Sequence, residues 1–145
     1  MIIWLTGQPG SGKTTIAKEI MRIQNSKDWF HIDGDDIRDL FDNKDYSETG
    51  RRKNIELAQQ IAFYLHKKGR NVVVSLVSPY KDQRDEFKLK VGDFIVEAYI
   101  HTTQIRGREN FFVQNYEPPI DWFVNVSTDN QSVEECAKTI LSYMI

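Results

Sequence analysis

Apolar residues follow two alternating rhythms along this chain. Ile2, Ile3, Trp4 and Leu5 form an unbroken run closed by Thr6, the pattern of a strand buried on both faces, whereas Ile16, Ala17 and Ile20 recur at helical spacing after Lys13. The same two rhythms predict strands over 2–6, 29–32, 71–77, 94–100 and 122–126, and helices over 13–24, 36–42, 48–68, 80–90 and 132–143. Such alternation sets helices on both faces of a mainly parallel sheet, so the expected fold is an α/β three-layer sandwich with a five-stranded sheet. Ser132 and Glu135 have the spacing of a capping box ahead of Val133, Ala137, Ile140 and Leu141, which marks the start of the last helix. Residues 101–121 keep neither rhythm: they are polar and aromatic, with Arg106, Arg108, Phe111, Phe112 and Tyr116, and end near Pro118-Pro119. This stretch is the candidate lid.

The 145 residues suit a single domain over 1–145, and 40% hydrophobic content suffices for one core. A net charge of −2 argues against a nucleic-acid backbone as partner and favours a small anionic ligand. The lone Cys136 forms no internal disulfide, and the first apolar run breaks at Gly7, too early for a membrane span. A cytoplasmic setting without membrane association is expected.

Between the first strand and the first helix, Gly7-Gln8-Pro9-Gly10-Ser11-Gly12-Lys13-Thr14 fills every position of G-x-x-x-x-G-K-[ST]. Backbone N–H groups of such a loop, with the helix N-terminus, present positive ends to phosphate oxygens, and glycine allows the close approach. ATP is therefore the expected nucleotide, held by Gly7 to Thr14 and the adjoining Thr15; Lys13 reaches the β- and γ-phosphates and the Thr14 hydroxyl ligates Mg²⁺. Asp33 lies at a distance that suits a dinucleotide fold, but Gly7, Gly10 and Gly12 do not space as G-x-G-x-x-G.

Ligands of open α/β sheets bind beyond the carboxyl ends of the strands, and four more clusters fall there. In Asp33-Gly34-Asp35-Asp36-Ile37-Arg38 a carboxylate either caps the next helix or takes the proton of an attacking hydroxyl, with Asp36 reading as structural. Arg51 and Asn54 share one helix face and suit an anion and a hydroxyl or base edge, although a charged run such as Arg51-Arg52-Lys53 is also what a solvated face looks like. Ser75-Leu76-Val77-Ser78-Pro79-Tyr80 runs from a buried strand into a turn; Ser78 either faces the site or caps the next helix with Pro79 at its first position, the role its residue type favours. Tyr46 either stacks on a base or fills the core.

In their order these pieces resemble the adenylylsulfate kinase family of P-loop kinases, which phosphorylates the 3′-hydroxyl of adenosine 5′-phosphosulfate with ATP. The likeness is carried by the phosphate loop, Asp33-Gly34-Asp35 with Arg38, Tyr46-Ser47, Arg51 three before Asn54, Ser75 to Tyr80 with Arg84, Tyr116-Glu117-Pro118-Pro119 and the Ser132 to Glu135 helix start. The resemblance implies Asp35 as base, Arg38, Arg51 and Asn54 as holders of the sulfonucleotide and Tyr46 stacked on adenine. It also puts Ser78 in the place of the family's active-site serine and makes Asp33, Ser75, Leu76 and Val77 part of the acceptor pocket. Two departures stand out. About twenty residues of the family's lid are missing, leaving Arg106 and Arg108 as its start and Phe111 or Phe112 as an aromatic wall. Glu56 and Leu57 replace a basic pair after Asn54, and Glu56 would repel a sulfate that it faced. The alternatives are a kinase of this fold for another nucleotide conjugate or small alcohol, and an ATP-binding module without catalysis. The exposed-looking aromatics of 111–123 also leave room for a partner chain, a homodimer, to complete the pocket.

Overall fold

The computed structural model describes residues 1–144 and places strands β1 (Ile2–Thr6), β2 (Trp29–Asp33), β3 (Asn71–Ser75), β4 (Ile95–His101) and β5 (Val124–Ser127) in one sheet, in the order β2-β3-β1-β4-β5. Every neighbouring pair is parallel, with Trp4 opposite Val74 on one side and Glu97 on the other. Among the described residues the α-helices are α1 (Lys13–Gln24), α2 (Gly34–Leu40), α3 (Glu48–Lys67), α4 (Lys81–Val91) and α5 (Val133–Leu141).

The unbroken apolar run of β1 is explained by its central place. Ile3 and Leu5 pack with Ile16, Ile20, Ala137 and Ile140 under α1 and α5, while Ile2 and Trp4 pack with Ile55, Ala58, Ala62 and Phe87 under α3 and α4. Strict alternation in a strand sends successive side chains to opposite faces, so only a strand covered on both sides must be apolar throughout. The Trp4 and Phe87 rings lie 5.5 Å apart and tilted at 60°, packing together on the second face.

The expected elements are all present, with shifted ends. α2 begins at Gly34, directly after β2, where 36 was expected, and β3 stops at Ser75, short of the expected 77, with Ser78 beyond it in the left-handed region at φ 48. The capping box at Ser132 forms as its spacing implies, with both reciprocal bonds made. Residues 101–121 carry only the end of β4 and a short 3-10 turn at Glu109–Phe111. Because all strands run the same way, the chain segments after β1, β2, β3, β4 and β5 emerge on one edge of the sheet, where the site is built.

Candidate functional site

A cavity of about 820 Å³ opens at that edge and joins the phosphate loop to the ends of β2 and β3, the face of α3 and the strap that follows β4. Of the loop, Pro9, Gly10, Gly12, Lys13, Thr14 and Thr15 line it, while Gly7, Gln8 and Ser11 sit behind and shape it. Gly10 and Gly12 take φ 82 and 109, values that side chains rarely adopt, and this turns the loop around the start of α1. Gly7 is required for a different reason: a Cβ there would stand 2.2 Å from the Ile100 carbonyl oxygen of β4.

Lys13 folds back over its own loop, donating to the Gly7 and Gln8 carbonyls at 2.8 and 2.9 Å and to Ser11 Oγ at 3.3 Å. Burial pushes its ammonium down to about 8, with Asp33 opposing the shift and Arg108 adding to it. The loop thus holds a cation ready to exchange neutral carbonyls for phosphate oxygens.

Thr14 Oγ1 donates to Asp33 Oδ1 at 3.3 Å, and Ser75 Oγ donates to the same oxygen at 3.0 Å. His31 Nε2 lies 2.7 Å from Ser75 Oγ; since the serine proton goes to Asp33, the ring nitrogen donates to the serine. Burial holds the His31 ring below its ordinary pKa, which Asp33 and Asp36 partly counter. Residue patterns gave no sign of His31, although its place two before Asp33 puts both on one face of β2. Asp33 occupies the position before α2 yet makes no side-chain cap, and Asp35 and Asp36 lie in the first helical turn, so the capping reading of these carboxylates is not what forms. Asp35 lines the cavity.

Arg38, Tyr46, Arg51, Asn54, Ser75, Leu76, Val77 and Ser78 all line the same cavity. Arg38 Nη1 is engaged by the Asn43 and Asp45 carbonyls at 3.1 and 3.0 Å, and its guanidinium stacks 3.9 Å from the centre of the Tyr46 ring. Tyr46 is 62% exposed, so it does not fill the core. Asn54 is buried and donates to the Gly34 carbonyl at 3.3 Å, with its Oδ1 unpartnered. Glu56 points outward to Gln60, 3.1 Å away, and does not line the cavity, which removes the repulsion expected of it.

Ser78 does not cap α4. The residue before that helix is Tyr80, and the open N–H of Lys81 is taken by the Glu117 carboxylate at 3.0 Å. The left-handed turn at Ser78 is held instead through its carbonyl, which accepts from Arg84 Nη1 at 2.5 Å and Thr6 Oγ1 at 3.2 Å. Its hydroxyl is left buried and without a partner on the cavity wall. A buried polar atom with no partner inside a fully formed turn is a costly arrangement, and one that a bound ligand relieves.

The strap closes the cavity with Arg106, Arg108, Asn110, Phe111, Phe112 and Val113. Arg106 reaches the Gly10 and Ser11 carbonyls at 3.3 Å each and Thr128 Oγ1 at 3.0 Å, so it ties the strap to the phosphate loop and to the end of β5. Thr128 escaped the sequence reading, though the strand-end rule applied to β5 points to it.

The model of the adenylylsulphate kinase family matches residues 1–111. The chain belongs to the adenylylsulphate kinase family. As a member it is a kinase, an enzyme of phosphoryl transfer. An adenylyl-sulfate kinase of Pseudomonas aeruginosa is 30% identical, the match covering 99% of this chain and 84% of that protein. One from Staphylococcus haemolyticus is 29% identical over 166 positions, covering 99% and 83%. Those 166 positions against 145 residues mean that at least 21 positions of the alignment have no residue here. An APS kinase of Mycobacterium tuberculosis, solved with AMPPNP and APS, superposes with a TM-score of 0.83 at 21% identity, covering 98% of this chain and 95% of that one, and shows the same P-loop kinase fold. The family match ends at Phe111, inside the strap.

Proposed function

We propose that this kinase transfers the γ-phosphoryl group of ATP to the 3′-hydroxyl of adenylyl sulfate, using one domain over residues 1–145 with the strap as its lid. The observation that carries this reading is the single cavity in which Lys13 and Thr14 share walls with Asp35, Arg51, Asn54 and Ser78. The phosphates of ATP lie on the N–H groups of Gly7 to Thr15, and Lys13 gives up its carbonyl partners for the β- and γ-phosphate oxygens. Arg106 and Arg108 border the same space from the strap and meet the charge that spreads over the transferring group.

The hydroxyl and carboxylate oxygens of Thr14 and Asp33 fit Mg²⁺, which favours a few hard oxygen donors beside substrate phosphates. Among the described residues no cluster of three or more His, Cys, Asp or Glu is arranged to hold a metal. When bound there, the ion neutralises phosphate charge. Asp35 orients the acceptor hydroxyl; its oxygen bonds to the γ-phosphorus as the bond to the β–γ bridging oxygen breaks, ADP leaves, and the hydroxyl proton passes to the carboxylate. Arg51 pairs with the sulfate-bearing end, Asn54 Oδ1 and Ser78 Oγ supply the unpartnered polar atoms that the acceptor fills, and Arg38 with Tyr46 forms the outer wall.

The buried free thiol of Cys136 suits a cytoplasmic enzyme, and among the described residues no helix is long and apolar enough to cross a membrane. Exposed Ile120 and Trp122 beside the strap are the face on which we place a homodimer; a monomer in sedimentation removes that part of the reading. The catalytic proposal is tested by ADP release with Mg-ATP and adenylyl sulfate, beside acceptor-free reactions, other nucleotides and Lys13→Ala. Turnover that needs adenylyl sulfate and is lost in the variant supports it; turnover only with another acceptor reassigns the pocket.

A further inference from the structure

The strap from Thr102 to Tyr116 has little apolar anchorage over its tip. Ile105 is 88% exposed and Phe111 65%, and only a short 3-10 turn interrupts the irregular backbone. Its position over the cavity is therefore set by polar contacts. Arg106 supplies one set. Asp129 holds the start of the strap through Thr102 and Thr103, and Thr6 Oγ1 meets the Tyr116 hydroxyl at its end. Between them, at the aromatic segment, stands Gln8, whose amide pairs with the backbone of Val113 in both directions: Nε2 donates to the Val113 carbonyl at 2.8 Å and Oε1 accepts from the Val113 N–H at 2.9 Å. This is the pairing that a neighbouring strand would offer, made by one side chain across 105 positions of sequence.

We propose that Gln8 is a positioning residue for the acceptor pocket. Its backbone belongs to the loop that cradles the phosphates, but its side chain does not line the cavity and instead fixes the segment carrying Phe111, Phe112 and Val113, which lines it, and which we assign to the acceptor. The phosphate loop and the aromatic wall are in this way one mechanical unit, and the acceptor meets a wall placed by the loop that binds ATP. This rests on the kinase reading above for what the pocket binds, not for the clamp itself.

The test uses Gln8→Glu and Gln8→Leu in the whole protein. The glutamate keeps size and can accept the Val113 N–H, but sets a carboxylate oxygen against the Val113 carbonyl in place of a donor; the leucine removes both bonds. Two net hydrogen bonds correspond to a loss of about tenfold to thirtyfold. The expected results are hydrogen exchange at the Val113 amide at least about tenfold faster in Gln8→Leu, and a KM for adenylyl sulfate about tenfold higher in both variants, with the KM for ATP moved less than about threefold. Unchanged exchange at 110–113 overturns the clamp, whether or not the enzyme turns over. An ATP KM raised as much as the acceptor KM also overturns the proposal, because Gln8 then acts on the phosphate loop itself. If the unmodified protein does not use adenylyl sulfate while Val113 exchange responds as expected, the acceptor assignment fails and the clamp stands.

Discussion

The Glu117 carboxylate accepts the backbone N–H of Lys81 at 3.0 Å, so the return of the strap closes the open end of α4. A carboxylate at a helix N-terminus satisfies an orphan donor and meets the positive end of the helix dipole. This contact leaves Ser78 uncommitted to α4, although the Ser-Pro pair reads as a cap.

Replacing that carboxylate tests the arrangement directly. Glu117→Ala is expected to lower stability by about 1 kcal/mol, the usual worth of a cap, and Glu117→Gln by less because its amide oxygen still accepts. Denaturant midpoints of the two variants check the order. Equal losses would show that the carboxylate does not cap α4.

Arg84 and Glu97 form an ion pair at 3.1 Å with both side chains only 1% exposed. Lys88 reaches the other Glu97 oxygen at 2.8 Å, and Arg84 also donates to the Ser78 and Glu117 carbonyls. Arg84→Met leaves the buried Glu97 carboxylate with Lys88 as partner but strips the Ser78 and Glu117 carbonyls of their donor, so it is expected to cost about 3 kcal/mol, and adding Glu97→Leu, which removes the partner of Lys88, is expected to recover only part of that loss. Urea unfolding gives both values. Catalysis should stay impaired in the double variant, because the Ser78 turn has lost its guanidinium.

Lys13 contributes a pH dependence of known sign. Below pH 8 its ammonium is charged in folded and unfolded chains alike; between about 8 and its ordinary 10.5 the unfolded chain keeps the proton and the folded one sheds it. Stability therefore gains from this residue as pH rises through that window, by on the order of 3 kcal/mol in full. The difference in unfolding free energy between the wild type and Lys13→Met, followed from pH 7.5 to 10, should change in that direction. Binding of ATP above pH 8 should take up a proton at Lys13, read as a buffer-dependent heat in titration calorimetry.

Asp33 and Asp35 should separate kinetically. Asp35→Ala is expected to reduce kcat by about 100-fold or more with little change in ATP affinity, as for loss of a positioned base. Asp33→Asn should instead raise the Mg²⁺ concentration needed for half-maximal rate, since the carboxylate beside Thr14 is what changes. Identical profiles for the two variants would mean that the roles are not divided as assigned.

The sequence alone carried what short-range chemistry encodes. The phosphate loop is legible because one stretch of eight residues supplies its own turns, amides, lysine and hydroxyl, and the sheet is legible because burial on both faces demands the unbroken run of Ile2 to Leu5. The strand-end rule also placed Asp35, Arg51, Asn54 and Ser78 around one edge, where the cavity brings them together. Other features had to wait for the tertiary structure. That Ser78 is freed from capping by Glu117, that Glu56 faces away from the cavity, and that Gln8 grips Val113 depend on side chains meeting across distant segments. Local propensity is fixed by neighbours in sequence, whereas these pairings exist only after the sheet has set which loops share an edge; residue type alone ranks a serine before proline as a cap and a loop glutamine as filler.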